Sequence, residues 1–427
     1  MIGGAAVLEL LVPLHGIGGR GDLPVPLWLA IYSAGAAVAV SFFALAAFWT
    51  RPRFEGTAGA PLVGSTGAPG VGIAGASLVH LTRIVDRPVT RAVFKLAGLA
   101  AFALLLGTAW FGSADPASNP APTWLYVWSW VGIIPLSLLC GPIWRLANPF
   151  RTIAGLVRRT SYRQLPEGIA YWPAVAGLAG FLWLELVYPD GSEPRTIALA
   201  VTVYAVVNVA AGIIFGPRWF AIGDSFEVYA EVLGRLSPVG RGARGSLVLR
   251  NPLAGLATMP QRPGLVGLLC LLLGSTAFDG ISRWSAWSRL TGELGRPQHL
   301  LVYTMGLIVA VAIVTGLYLL AARTSGTALV PPGAFVHSLV PIAIGYAVAH
   351  YFSFAMFQGQ DGWLLATDPF GRGWDLFGTS GTRIDYAFLG TSLIAGVQIG
   401  GGGGGPRLRG VVAARTPPSL VRGPPLG

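Results

Sequence analysis

Six ionisable side chains, Glu185, Asp279, His299, His337, His350 and Asp385, fall inside or at the edge of apolar stretches in this 427-residue chain. Groups of this kind are expensive in a low-dielectric setting, so each needs a partner or a task. Imidazole and carboxylate together offer two chemistries. They can coordinate a divalent metal such as zinc, manganese or iron that activates a water, or they can pass a proton. Tyr346, His350 and Ser353 recur at i, i+4 and i+7, which places them on one face of a helix. A polar face looks into a bundle rather than at lipid. His299 and Tyr303 repeat the pairing one stretch earlier, while Glu185 in Trp-Leu-Glu-Leu and Asp279 in Ala-Phe-Asp-Gly close two others. We therefore expect His350, His299, Asp279 and Glu185 to meet near one end of the bundle. They would serve there as metal ligands, with Glu185 or Asp279 as general base. His15, in a glycine-rich segment that would fold over the same end, is a fifth candidate ligand. The alternative for each is structural: a helix cap, a snorkelling carboxylate, or an imidazole satisfied by a tyrosine or a carbonyl. No His-Glu-x-x-His spacing is present, and the glycines at 16–21 lack the Gly-Lys-Ser/Thr of a phosphate loop.

The elements that must position these residues are read from composition. Hydrophobic residues make up 53% of the chain and charged residues 11%, outside the range of soluble domains. Nine stretches, near 27–49, 96–112, 124–143, 168–187, 196–215, 264–280, 299–321, 334–356 and 384–400, approach the roughly 20 apolar residues that cross a bilayer. The expected fold is all-α, a polytopic transmembrane helix bundle of about nine spans. Of the 29 Lys and Arg, 22 lie in segments 50–95, 144–167, 216–263, 322–333 and 401–427. The positive-inside rule then puts the N-terminus outside, the C-terminus in the cytoplasm, and the protein in the cell membrane as a multi-pass chain.

This reading divides the chain into an extracytoplasmic segment 1–26, a helical domain 27–400 and a Gly/Pro/Arg tail 401–427 expected to be disordered. The net charge of +11 flanks apolar spans, which suits anionic headgroups of the bilayer and not nucleic acid. Cys140 and Cys270 both sit in apolar stretches and form no redox or metal motif.

Several local expectations follow. Arg83, Arg87, Arg91 and Lys95 recur every four residues and predict one cationic stripe on an amphipathic surface helix. Phe226, Tyr229, Leu233 and Leu236, with Asp224, Glu227 and Glu231 opposite, predict a second interfacial helix. Pro135 and Pro341 predict kinks at Val131 and His337. Ala176 and Gly180 predict a close helix approach.

Five segments resemble actinobacterial membrane proteins labelled fenitrothion hydrolase-like. They are His-Gly-Ile-Gly-Gly-Arg-Gly-Asp-Leu-Pro-Val-Pro at 15–26, Trp-Arg-Leu-Ala-Asn-Pro-Phe-Arg-Thr at 144–152, Trp-Leu-Glu-Leu-Val-Tyr-Pro at 183–189, Ser-Thr-Ala-Phe-Asp-Gly at 275–280 and Ala-His-Tyr-Phe-Ser at 349–353. The resemblance covers most of residues 15–398 and implies a multi-pass protein with organophosphate triester hydrolase activity. It carries no catalytic residues with it. Joined to the polar cluster, it gives a metal-assisted hydrolase as the first expectation, with a proton- or metal-coupled transporter as the alternative and a structural subunit of a membrane complex as the third.

Overall fold

The computed structural model describes residues 74–158, 160–242, 245–257, 259–325, 332–386 and 388–389. The expected span at 27–49, His15 and the tail 401–427 lie outside the described residues. So does most of the stretch 384–400, whose described part is loop.

The fold is mostly helical. In chain order it comprises α1 (Ala74–Val85), α2 (Pro88–Phe111), α3 (Ala121–Cys140), α4 (Pro149–Val157), α5 (Trp172–Leu186), α6 (Pro194–Phe215) and α7 (Ser225–Gly234). A short antiparallel hairpin, β1 (Val239–Arg241) and β2 (Leu247–Leu249), precedes α8 (Leu265–Ser282), α9 (Ser285–Thr291), α10 (Arg296–Ser325) and α11 (Leu339–Leu365). Among the described residues six helices, α2, α3, α6, α8, α10 and α11, are long and apolar enough to cross a membrane, and α5 is a shorter apolar helix. Large side chains such as Leu199, Val203 and Val207 of α6 and Leu301, Ile308 and Leu317 of α10 remain exposed. Outward faces of this composition suit lipid as their solvent. Where α8 and α10 cross, a Cβ at Gly274 would come within 2.5 Å of the Val311 backbone, so only glycine admits the approach.

Both prolines act differently from the sequence expectation. α3 is α-helical over Ala121–Thr123, π-helical over Trp124–Val131, and α-helical again over Ile133–Cys140. Pro135 thus sits in the first turn after a widened segment, where its missing N–H costs little. Before α11 the chain runs as a 3₁₀ helix over Pro332–Ser338. Pro341 therefore stands in the first turn of α11, whose amides have no intrahelical partner in any case.

The cationic stripe is also divided. The helix breaks at Asp86 and restarts with Pro88 at its first position. Arg83 therefore belongs to α1 while Arg91 and Lys95 belong to α2. Asp86 accepts from Arg91 and from Arg241 of β1, each at 2.7 Å. The two guanidinium groups hold its carboxyl well below the usual carboxylate range. The Leu247 amide of β2 donates to Thr82 Oγ1 at 2.8 Å, so the hairpin straps α1.

The largest departure is α7. It is not interfacial: apart from Glu231, every residue from Ser225 to Gly234 is buried. The ring of Tyr229 stacks on Trp130 of α3 with centroids 4.8 Å apart. Burial is possible because its acidic residues are met. Asn148 Nδ2 donates to Asp224 Oδ2 at 2.7 Å and to Glu227 Oε2 at 3.0 Å, while Asn148 Oδ1 caps α4 by accepting from the Phe150 and Arg151 amides. Arg151 adds a paired contact to Glu227 at 2.5 and 3.0 Å. Tyr204 donates to Asp224 Oδ1 at 2.7 Å. Ser225 Oγ donates to the Ala174 carbonyl at 2.8 Å, and a Cβ on Gly177 would stand 2.4 Å from that oxygen. Gly177 is thus the point where α5 meets α7, whereas Ala176 and Gly180 are exposed.

Two outcomes test this network. Asn148→Ala removes a helix cap and leaves two buried carboxylates short of a donor, which should cost about 3 kcal/mol and lower the unfolding temperature in detergent. Burial, with Glu227 beside it, pushes the Asp224 carboxyl from 3.8 up to about 6. The folded chain therefore holds an extra proton between those values. The associated stability is full below about pH 4 and is lost as pH rises to about 6. Thermal unfolding across that window should show this slope in the wild type and a flatter one in Asp224→Asn.

Candidate functional site

Asp279, in the last turn of α8, is 1% exposed. Its Oδ2 lies 2.5 Å from His350 Nε2 on α11. Arg283, one turn on, donates to Oδ1 at 3.2 Å and to Oδ2 at 3.4 Å. One carboxylate thus binds an imidazole and a guanidinium together. Tyr346 stacks parallel to His350 at 5.8 Å and donates to the Thr276 carbonyl at 3.3 Å. Tyr346 and His350 both turn to α8, and Ser353, which the helical spacing puts on the same face, is buried. Tyr351 meets the imidazole edge-on at 4.8 Å.

His350 is deeper than a stretch ending at 356 implies. α11 continues to Leu365, which leaves about 22 Å of helix beyond His350 at roughly 1.5 Å per residue. The imidazole therefore occupies the middle of its helix.

Glu185 lies in the last turn of α5 and is 9% exposed. Its Oε2 is buried without a hydrogen-bond partner. The carboxyl is within electrostatic reach of Asp279 and of the phenols of Tyr126, Tyr229 and Tyr351. Tyr126 is occupied, donating to the Gly191 carbonyl at 2.7 Å. A small cavity is walled by Trp130, Tyr229 and Tyr351 with Thr276, Leu269, Leu272 and Val340. Thr276 stands one turn before Asp279 on α8 and Tyr351 follows His350 on α11, so the cavity begins where the polar cluster ends.

The structure thus brings Asp279, His350 and Arg283 into contact and leaves Glu185 within electrostatic reach of Asp279, but among the described residues these groups form no metal-holding set. His299 goes elsewhere: it stacks on Tyr303 at 3.9 Å within the aromatic group of Phe278 and Trp287, and its Nδ1 is buried without a partner. Asp385 is exposed in a loop whose backbone exchanges hydrogen bonds with the Gln360 side chain. His337 lies in the 3₁₀ turn before α11. Among the described residues no group of three or more His, Cys, Asp or Glu is placed to hold a metal ion. The sequence reading passed over Arg283, although its i+4 spacing from Asp279 signals the pair. It could not see Trp130 and Tyr229, because their place depends on α7 entering the bundle.

Compared with family models, curated proteins and solved structures, the chain finds no match. The site is therefore read from its own geometry.

Asp279→Ala should strand Arg283 and His350. Their partial exposure softens the loss, which should still reach about 2 kcal/mol. Glu185→Gln keeps the volume and gives up only a carboxyl oxygen that has no partner, and should stay within about 1 kcal/mol of wild type. Thermal unfolding of the two variants side by side checks the contrast.

Proposed function

We propose that this chain is a proton-coupled transporter of the cell membrane in which Asp279, His350 and Glu185 carry the proton. The observation that carries the reading is the 2.5 Å contact of buried Asp279 with His350, with the unpartnered carboxyl oxygen of Glu185 on a neighbouring helix within electrostatic reach. Inside such a bundle an imidazole–carboxylate pair is a two-position proton site. Arg283 pairs with Asp279 at 3.2 Å and sets a fixed positive charge beside the imidazole–carboxylate site.

The helices support movement around this site. α7 is a buried half-helix, and both α3 and α11 change helical type, one through a π segment and one through a 3₁₀ segment. Interrupted helices beside a polar site are the usual devices of alternating access. Counted with the stretches at 27–49 and 384–400, the chain makes nine spans, its N-terminus outside and C-terminus cytoplasmic. The basic segments face anionic headgroups, and the site opens toward the outer half of the bilayer. A metal-assisted hydrolase asks instead for three protein ligands and an open position, while the Arg283 pair competes with any ion for Asp279.

Proteoliposomes carrying a pH gradient and an internal pH dye test the proposal against a panel of small solutes. At least one solute should provoke proton flux in the wild type, and Asp279→Asn and His350→Gln should each reduce it at least tenfold. Flux that survives both substitutions, or no coupled flux with any solute, overturns the reading. Stoichiometric bound metal with triester hydrolysis would replace it by the hydrolase.

A further inference from the structure

The chain beyond α11 forms an ordered loop at the end where α2 and α11 finish. It leaves the helix after Leu365 and packs on the last turns of α2. A Cβ on Gly107 would lie 3.8 Å from the Phe370 ring, and one on Gly112 would lie 3.3 Å from the Pro369 carbonyl oxygen. The chain then returns along α11, where Tyr386 and Phe388 meet Phe357 with ring centroids 5.3 and 6.3 Å apart. The carboxylates of the loop turn to its own backbone. Asp368 accepts from the Arg372 and Gly373 amides at 2.8 and 2.6 Å. Asp375 accepts from the Ser380 amide and hydroxyl at 3.1 and 2.7 Å and from the Thr367 hydroxyl at 2.9 Å. Thr367 Oγ1 in turn accepts from the Phe377 amide at 3.1 Å.

The outward surface of this loop is apolar. Trp374, Leu376 and Phe377 are exposed, as is Trp363 of α11, whose ring stacks on Phe377 with centroids 4.8 Å apart. Arg372 lies over both Phe370 and Trp374, at 5.7 and 5.5 Å from the ring centroids. Exposed tryptophan beside arginine at the end of apolar helices matches the headgroup region of a bilayer, where rings meet acyl chains and cations reach phosphates. The surface continues onto the helices, since Phe111, the last residue of α2, is exposed as well. Backbone can enter that region when its amides are met, as Asp368, Asp375 and Thr367 meet those of Arg372, Gly373, Ser380 and Phe377. Asp368 and Asp375 balance Arg372 and Arg383, so the contact needs no anionic lipid.

We propose that the loop 366–383 is an interfacial anchor whose Trp374, Leu376 and Phe377 insert at the boundary between phospholipid headgroups and acyl chains. The anchor sets the depth of α11. From His350 to Trp363 the helix rises about 20 Å at roughly 1.5 Å per residue, and half of a bilayer with its headgroups measures about 20 Å. His350 and its partner Asp279 therefore lie near the midplane. The lipid contact is independent of the proton reading, because it involves no titrating group.

Spin labels in phosphatidylcholine proteoliposomes test the anchor. Cys140 and Cys270, the two native cysteines, are replaced by alanine in the full-length chain before a single labelling site is introduced. Leu376→Cys and Phe377→Cys are compared with Val203→Cys, on the exposed face of α6, and with Glu293→Cys, in the exposed turn before α10. Collisions with oxygen, which partitions into acyl chains, are measured against collisions with a water-soluble nickel chelate. The oxygen-to-nickel ratio at Leu376→Cys and Phe377→Cys should exceed that of Glu293→Cys by at least about threefold and stay below that of Val203→Cys, as insertion at the boundary requires.

A ratio no higher than that of Glu293→Cys places the loop in water and overturns the proposal. Low accessibility to both reagents means that a second copy or another segment of this chain covers the surface, and overturns it too. Trp374→Phe, with both cysteines kept, gives a second measurement. It should remove emission that brominated acyl chains quench; loss of emission quenched by aqueous iodide instead rejects the anchor even if the labelled variants fail to fold. A failed proton-flux test leaves either result standing.

Discussion

Asn148 is the point on which the rest of the structure depends. An apolar interior accepts a carboxylate only when donors meet it, and α7 carries Asp224 and Glu227 into that interior at the cost of two such demands. The Asn148 amide answers both with one nitrogen while its oxygen caps α4. Arg151, the third residue of the helix so capped, then reaches Glu227 from the same side. Neither half of the arrangement is stable alone. Without the cap the Arg151 geometry is lost, and without the carboxylates Asn148 and Arg151 are polar groups with nothing to hold.

Tertiary placement of the cluster follows from that arrangement. With α7 inside, Tyr229 stacks on Trp130 of the π-helical part of α3, and Phe226 meets Phe181 of α5 edge-on at 5.3 Å. α5 is thereby fixed against α7, with Gly177 admitting the contact, and its last turn carries Glu185, within electrostatic reach of Asp279. Two buried polar groups at opposite ends of one short helix are therefore coupled through packing. One is fully satisfied and fixes the helix. The other is left with an unmet oxygen.

That contrast separates structural from reactive polarity in this chain. Asp224 and Glu227 each have several named donors, and carboxylates so held serve the scaffold. Glu185 has an oxygen with none. A group left short of partners in an otherwise well-paired interior is where a transferable proton can be accommodated, because nothing has to be broken to admit it.

The apolar runs, the separation of arginines from them and the helical spacing of Tyr346, His350 and Ser353 were legible in the sequence. Each depends on neighbours a few residues apart, and burial in lipid or protein demands the same residue types wherever it occurs. That Glu185 and Asp279 each close an apolar run was legible too. What the sequence could not decide was partnership across long separations. Asp279 and His350 are brought together from 71 positions apart, and His299, with the same local signature, is turned onto Tyr303 instead. Local amphipathicity made α7 a surface helix, because a periodicity records only that two faces differ and not what covers the polar one. Tertiary structure covered it with Asn148, Arg151 and Tyr204, which reversed its location from surface to core. Hydrophobic pattern is a property of one segment, whereas satisfaction of a buried charge belongs to several, and so only the assembled bundle settled it.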